Sequence, residues 1–229
     1  MKLVRFGAKG AERPGLVDAD GQVRDLSAHV ADITGETLSP ASLDKLRAVD
    51  PKSLPLAPRG VRLGAPVARS WSFIAVGLNY ADHAKETGQE MPAEPILFNK
   101  LGNSVSGPFD DVIYPKGADR MDWECEIAFV VGTRARYVEE AGAMAHVAGY
   151  AICNDISERR FQMKRNGQWM KGKSAETFGP LGPWLVTTGT PPGVGSAMKP
   201  PQYLKAGDVM ELSIEGLGRQ RQTVVPFRP

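Results

Sequence analysis

The stretch that is most informative about the fold lies at residues 122–132 and reads Asp122-Trp123-Glu124-Cys125-Glu126-Ile127-Ala128-Phe129-Val130-Val131-Gly132. Side chains alternate between the two faces of a β-strand. Glu124 and Glu126 are therefore expected on one face, followed there by Ala128 and Val130, and the other face holds the residues between them. The pattern predicts a strand in which two carboxylates lead an otherwise apolar face.

These two glutamates fit a metal site, and they also fit two solvated side chains at the start of an exposed strand. Side chains two apart on a strand stand about 6.5–7 Å apart at the backbone, which lets both carboxylates reach one ion. A second feature favours the ion, because the apolar run 147–153 ends in Asn154-Asp155 and adds a carboxylate at a strand terminus. Glu124, Glu126 and Asp155, without a neighbouring histidine pair or cysteine set, predict an all-oxygen site for Mg²⁺ or Mn²⁺ rather than zinc.

The other apolar segments are short, and the 25 glycines and 18 prolines among 229 residues predict many turns. A short helix is predicted near residues 42–49, and a second one runs from an Asn79 cap to Gly88. Strands are predicted at residues 2–6, 15–18, 23–25, 72–77, 95–99, 124–132, 147–154, 183–187 and 209–214. We therefore expect an α+β fold that is mainly β.

A proline-rich connector divides the chain. Residues 51–60 carry three prolines and are expected to hold no regular structure. Residues 1–65 are therefore predicted to form a small N-terminal domain with its linker, and residues 66–229 the catalytic domain.

Composition excludes several classes of function. A net charge of +2, with no run of like charges, argues against nucleic acid or a membrane surface as partner. The first residues are charged and no apolar stretch is long enough for a signal peptide or a spanning helix, so we expect a cytoplasmic protein. Cys125 and Cys153 lack Cys-x-x-Cys spacing and are expected to be buried thiols rather than a disulfide.

His83 and Glu86 lie three residues apart on the second predicted helix and would share one face. The carboxylate could then hold the imidazole in one tautomer, so that it takes a proton from water as a general base. A solvated helix with weak ion pairs fits the same spacing.

Residues 167–174 match the phosphate-loop pattern G-x-x-x-x-G-K-[ST], but their context argues against a nucleotide site. Such a loop follows a buried strand and opens a helix, whereas residues 159–166 are polar and two Gly-Pro pairs follow closely. Lys173 remains of interest as a cation near the carboxylates. The glycine-rich run 188–195 could offer backbone N–H groups to an anion, or could be an ordinary turn.

Several motifs in this order resemble the fumarylacetoacetate hydrolase family, from about Phe73 to Leu217. The motifs are Glu124-x-Glu126, Asn154-Asp155-Ile156-Ser157-Glu158-Arg159, Lys171-Gly172-Lys173-Ser174, Thr177-Phe178-Gly179-Pro180 and Thr188-Gly189-Thr190-Pro191, with Gly77–His83 and Glu86 upstream. The resemblance implies a mixed β-sheet roll as the main domain, usually in a homodimer, behind a small N-terminal domain.

The same resemblance implies roles for individual residues. Glu124, Glu126 and Asp155 would bind the divalent metal. His83 with Glu86 would activate water, and Lys173 would polarise the substrate. Arg159, Gln162 and Thr190 would hold the carboxylate of an oxo-acid substrate.

Two departures from the family pattern stand out. Glu176 replaces the usual aspartate before Thr177-Phe178, and Thr187 runs directly into Thr188 where family members carry several tens of residues of strand and helix. Either the protein has lost these strands, or the protein is longer by a segment that this sequence does not include. We favour the second, because loss of core strands should leave much apolar surface exposed.

The sequence thus predicts a metal-dependent hydrolase that cleaves the C–C bond of a 2,4-dioxo acid, an acylpyruvate or a diketo-deoxy sugar acid, to pyruvate and a second carboxylic acid. A ureidoglycolate lyase, or an oxo-acid decarboxylase, hydratase or isomerase, could use the same site. A non-catalytic protein that binds oxo acids is a further alternative if the deletion between Thr187 and Thr188 is real.

Overall fold

The computed structural model describes residues 1–68, 72–79, 90–185 and 202–228. Short strands dominate these residues, so the predicted mainly β class is confirmed. The strands are β1 Lys2–Phe6, β2 Arg13–Val17, β3 Val23–Asp25, β4 Leu63–Gly64, β5 Phe73–Gly77, β6 Ile96–Lys100, β7 Val105–Ser106, β8 Val112–Tyr114, β9 Met121–Asp122, β10 Cys125–Val131, β11 Val147–Asn154, β12 Ser157–Glu158, β13 Gly179–Gly182, β14 Val209–Ile214 and β15 Gly218–Pro226. The helices are α1 Pro40–Arg47, α2 Glu140–Ala143, α3 Arg159–Lys164 and α4 Met170–Lys173, with 3₁₀ turns at Pro51–Ser53, Gly102–Ser104 and Met144–His146.

The strands form five sheets. An N-terminal sheet has the order β3-β2-β1-β4, and the main sheet has the order β10-β11-β13-β7. In the main sheet, β13 pairs antiparallel with β11 and parallel with β7, so the sheet is mixed. A third sheet, β14-β15-β8, and the pairs β12-β9 and β5-β6 complete the described structure.

The side chains of β10 alternate between the two faces of the main sheet as predicted. Ala128 and Val130 pack against a first hydrophobic cluster, whereas the side chains of Phe129 and Val131 on the other face are 60% and 52% exposed. Because Cys153 belongs to this first cluster and Ile156 to a second one, the intervening Asn154-Asp155 lies where the two clusters meet.

The N-terminal sheet shares its core with the main sheet. Leu3, Leu26 and Leu43 belong to the same cluster as Ala151 and Leu185. β4 ends at Gly64, close to the predicted boundary at residue 65, but the apolar core is continuous across it. The division into two domains stays a prediction.

Two local predictions were wrong. The strand expected at 183–187 is absent from its described part, residues 183–185; β13 lies just before it and ends at Gly182, because Pro183 has no N–H with which to continue the ladder to β11. The connector was expected to lack regular structure, yet Pro51–Ser53 forms a 3₁₀ turn that the Asp50 side chain caps by accepting from Lys52 N–H at 3.0 Å. Proline at the first helical position loses no hydrogen bond, which explains why the turn tolerates it.

Except for the burial of Cys125, the remaining local predictions agree with the structure or lie outside the part it describes. Cys125 and Cys153 are free thiols as expected, and Cys153 is buried, but Cys125 is only half-buried where burial was expected. The residues before the phosphate-loop pattern form helix α3 rather than a strand, in agreement with its rejection. The helix predicted to follow Asn79 lies outside the described residues. None of the helices in the described part of the chain is long and apolar enough to cross a membrane.

Candidate metal centre

Two neighbouring strand ends bring the three predicted carboxylates together. Cys125 at the start of β10 pairs with Asn154 at the end of β11, and the Asp155 N–H donates to the Glu124 carbonyl at 2.9 Å. One carboxylate oxygen each from Glu124, Glu126 and Asp155 then lies within 4.8 Å of the others. The expectation that the three converge is confirmed.

This donor set fits a hard divalent cation. Oxygen ligands of Mg²⁺ lie about 2.0–2.1 Å from the ion, so ligands on opposite sides of it are about 4.2 Å apart. A set of oxygens within 4.8 Å needs only a small closure to reach that spacing. The donors are all carboxylate oxygens, which suits Mg²⁺ or Mn²⁺.

Lys173, the last residue of α4, lies inside this cluster. Its buried ammonium donates to Glu124 Oε2 and to Asp155 Oδ2, both at 2.6 Å. Burial by itself would lower the pKa of Lys173, but the Asp155 and Glu124 carboxylates outweigh this effect and raise it. Lys173 therefore remains an ammonium at neutral pH.

The carboxylate of Glu124 is held in its charged form. Burial by itself would raise the pKa of Glu124, but Lys173 and Arg159 lower it to about 2. Arg159 Nη2 donates to Glu124 Oε1 at 2.5 Å, so cations contact both carboxylate oxygens. Glu124 is therefore a charged oxygen donor across the physiological range of pH.

Arg159 and Gln162, at the start and middle of α3, lie beside the cluster. Arg159 Nε donates to Asp122 Oδ2 at 2.8 Å, and its Nη1 donates to Gln162 Oε1 at 3.2 Å. Burial by itself would lower the pKa of Arg159, but the carboxylates of Glu124 and Asp122 outweigh this effect and raise it. All three guanidinium nitrogens already have protein acceptors, so the first role of Arg159 is to orient Glu124. Its predicted contact with a substrate carboxylate stays a prediction.

Glu158 explains how α3 is placed next to the cluster. Its buried carboxylate accepts hydrogen bonds from the Asp119 and Arg120 N–H groups and from the Phe161 N–H in the first turn of the helix. A carboxylate at this position caps the helix and complements its dipole. The cap fixes the direction in which Arg159 leaves the helix.

A ladder of buried amides supports the other side of the cluster. Asn154 Oδ1 accepts from the Glu124 N–H at 3.2 Å, and Asn154 Nδ2 donates to Gln222 Oε1 at 3.1 Å. Gln222 donates in turn to Gln220, whose amide donates to the carbonyls of Ile152 and Gly182 at 2.9 Å. The ladder joins β15 to β11 and fixes the main chain at Glu124.

Sequence reasoning missed three residues of this site. Lys100 contacts Asp155 directly, Asp122 reaches the cluster through Arg159, and Gln222 supports it through Asn154. Asp122 adjoins the Glu-x-Glu motif, and Lys100 follows a predicted strand, so a scan for charges at strand ends would have found both. Gln222 gives no such signal, because only the tertiary structure brings β15 to Asn154.

Three predicted site residues, His83, Glu86 and Thr190, lie outside the described residues. Their roles stay predictions.

Comparison with known proteins identifies the family. The sequence profile described as "Fumarylacetoacetate (FAA) hydrolase C-terminal" matches residues 72–188 and 185–225. A Burkholderia ambifaria protein, provisionally named a hydrolase, is 44% identical over 277 aligned residues that cover 97% of this chain and 98% of that protein.

Solved structures support the same family assignment. Fumarylacetoacetate hydrolase from Exiguobacterium antarcticum is 30% identical with a TM-score of 0.82, covering 99% of this chain and 100% of its own. A probable 2-hydroxyhepta-2,4-diene-1,7-dioate isomerase from Mycobacterium abscessus is 29% identical with a TM-score of 0.81, and each chain is covered in full. The chain belongs to the fumarylacetoacetate hydrolase family.

Proposed function

We propose that the protein hydrolyses the C–C bond of a 2,4-dioxo acid, using a divalent metal. The reaction converts R–CO–CH₂–CO–COO⁻ and water to R–COOH and CH₃–CO–COO⁻. The observation that carries the proposal is the position of Lys173. Its ammonium is hydrogen-bonded to two of the three carboxylates that could bind a metal ion. An oxo acid is an anion, and this cluster offers it a cation inside a pre-formed, buried site.

Glu124, Glu126 and Asp155 would hold the metal ion. When bound, Mg²⁺ or Mn²⁺ would supply a Lewis acid that polarises the substrate oxygens and offsets negative charge in the transition state. The protein adds fixed positive charge beside it, because Lys173 and Arg159 are buried and already oriented. Such pre-organised charge needs no reorganisation during the reaction.

Lys173 would donate a hydrogen bond from Nζ to a substrate oxygen. Glu124 and Asp155 each accept from one of its three N–H groups, and the third is the one that would reach a substrate oxygen. Its raised pKa keeps the proton on Nζ, so Lys173 orients and polarises rather than acting as a base.

We further propose His83 with Glu86 as the pair that removes a proton from the attacking water, and Thr190 as a contact to the substrate carboxylate. This part of the proposal rests on the spacing of the two residues in the sequence and on the resemblance to the family.

The test is a panel of acylpyruvates incubated with purified protein and Mg²⁺. We expect equimolar pyruvate and carboxylic acid, and no product in the presence of a chelator. If every acylpyruvate remains unchanged while the intact chain is used, the hydrolase proposal is wrong.

An isomerase is the second candidate, because a protein named as an isomerase is 29% identical to this chain over its full length. An oxo-acid decarboxylase or hydratase, or a ureidoglycolate lyase, would use the same carboxylates. Product analysis separates them: an isomerase leaves the substrate mass unchanged, a hydratase adds the mass of water without cleavage, and a decarboxylase releases CO₂. A ureidoglycolate lyase instead cleaves ureidoglycolate.

Two observations support a missing segment between Thr187 and Thr188. An alignment of 277 positions that takes in 97% of 229 residues must contain some tens of gap positions in this chain. The family profile also matches in two pieces that meet at residues 185–188. Near this point Leu185 lies against Gly149, whose partner in β10 is Val130, and the neighbouring Phe129 and Val131 are exposed on the opposite face of the sheet.

We propose that the missing segment or a second protomer covers the apolar surface formed by Phe129 and Val131. We also propose that the active protein is a homodimer in the cytoplasm. The mass of the purified chain shows whether the segment between Thr187 and Thr188 is deleted or present. A mass near 24.7 kDa shows a true deletion and favours a non-catalytic protein that binds oxo acids, whereas a clearly larger mass shows the segment.

A further inference from the structure

Lys100, at the end of β6, is buried beside the carboxylate cluster, and the proposed reaction gives it no role. Its ammonium donates to Asp155 Oδ1 at 2.6 Å, to the Ile156 carbonyl at 3.2 Å and to the Lys173 carbonyl at 2.5 Å. An ammonium has three N–H donors. All three are therefore used within the protein, and none is left for a substrate.

The three acceptors of Lys100 belong to different parts of the site. Asp155 and Ile156 follow β11, and Lys173 ends α4. Asp155 is consequently held at both oxygens, with Lys100 on Oδ1 and Lys173 on Oδ2. Through the Lys173 carbonyl, Lys100 also fixes the main chain that carries the second ammonium.

The stem of Lys100 is confined as well. The Lys100 side chain has no exposed surface, and the main chain at Gly179 lies beside its Cε. Burial and three hydrogen bonds restrict the rotamers that this side chain can adopt. The oxygens that Asp155 presents to an ion therefore depend on a residue that does not contact that ion.

We infer that Lys100 is a positioning residue that orients Asp155 and the Lys173 main chain for metal binding. The inference rests on the proposed metal site and adds a residue to it.

Charge alone predicts the opposite effect of removing Lys100. Around the site, the carboxylates of Glu124, Glu126, Asp155 and Asp122 face the cations Lys100, Lys173 and Arg159. Loss of one cation leaves a more negative site, which attracts a divalent cation more strongly. Loss of positioning frees Asp155 and weakens binding, so the sign of the change distinguishes the two roles.

The test measures Mn²⁺ affinity by calorimetry for the wild type, Lys100→Met and Lys100→Arg. Lys100→Met should bind Mn²⁺ at least tenfold more weakly. Lys100→Arg keeps the charge, but a planar guanidinium cannot reach the three acceptors in the same way, so it should also lose affinity. Unchanged or tighter binding in either folded variant would overturn the inference.

Leu26→Ala serves as the stability control, because Leu26 is buried in the first cluster away from the carboxylates. It should lower the midpoint of urea unfolding and leave Mn²⁺ affinity unchanged. A loss of affinity in Leu26→Ala equal to that in Lys100→Met would show that general destabilisation explains the result, and the inference would fail. A wild type that binds no Mn²⁺ contradicts the proposed metal site itself, which separates that failure from failure of the positioning role.

Discussion

Lys173 donates a 2.6 Å hydrogen bond to Glu124 across the interior of the protein, and neither side chain has appreciable contact with solvent. A buried ion pair is seldom kept for stability, because desolvation offsets most of its attraction. Perturbed charged groups brought together in a buried site are typical of functional centres. The relationship between these two residues is therefore the structural basis of the proposed function.

Replacement of Lys173 by methionine tests this relationship. The variant removes the ammonium that contacts Glu124 and Asp155, so turnover of an acylpyruvate should fall at least ~100-fold, a typical effect of losing one charge-stabilising donor. Steady-state kinetics with Mg²⁺ measures it. Lys171→Met, an exposed neighbour on the same helix, should retain wild-type rates. Equal rates in the two variants would exclude a role of Lys173 in the reaction.

The amide ladder predicts a change in stability. Gln222→Leu leaves the buried Gln220 Oε1 without its donor, and it also removes the hydrogen bonds that Gln222 makes with Asn154 Nδ2 and the Pro108 carbonyl. Buried groups left without partners cost about 1–3 kcal/mol, so urea unfolding should show a loss of that size. The exposed Gln202→Leu should change the free energy of unfolding by much less. A neutral Gln222→Leu would show that the ladder does not stabilise the fold.

An ion pair between Arg62, just before β4, and Asp110, in the loop between β7 and β8, predicts a pH dependence. Burial by itself would raise the pKa of Asp110, but hydrogen bonds from Arg62 and from the Gly107 N–H lower it below the usual value. A lowered folded-state pKa gives stability that is fully present above the unfolded-state pKa, about 3.9, and is lost as pH falls through the folded value.

Asp110→Asn should therefore be less stable than the wild type at pH 6, and the difference should shrink below about pH 4. Chemical denaturation at several pH values measures it, with the exposed Asp111→Asn as the control. A difference that stays constant down to pH 2 would contradict the role of the Arg62–Asp110 pair.

Both cysteines should resist thiol reagents in the folded protein. Burial raises the pKa of Cys125 to about 11 and that of Cys153 well above its usual value, so little thiolate is present at pH 8. A disulfide reagent should react slowly with native protein and rapidly with two thiols after denaturation. Rapid reaction before unfolding would show that the β10–β11 region is open.

The sequence predicted the elements whose pattern is local. β11 occupies the predicted residues 147–154, because an apolar run that ends in Asn154-Asp155 defines both its length and its end. The strand predicted at 183–187 was misplaced because Pro183 interrupts the ladder, and this effect outweighed the apolar composition of residues 184–186.

The candidate site was predictable in the same limited sense. Glu124, Glu126 and Asp155 can be recognised in the sequence because they are charged residues at the ends of apolar strands, and the structure brings them together. Lys100 and Gln222 act through contacts between residues 55 and 68 positions apart in the chain, which no local pattern contains.

Cleavage of an acylpyruvate in ¹⁸O-labelled water with Mg²⁺ tests the central claim most directly. Hydrolysis of the C–C bond places one solvent oxygen in the released carboxylic acid, and Glu126→Gln should abolish this product because it removes a charged ligand from the metal site. Labelled carboxylic acid from the wild type and none from the variant is the predicted result. Unlabelled substrate of unchanged mass, or equal label from both proteins, would contradict the account.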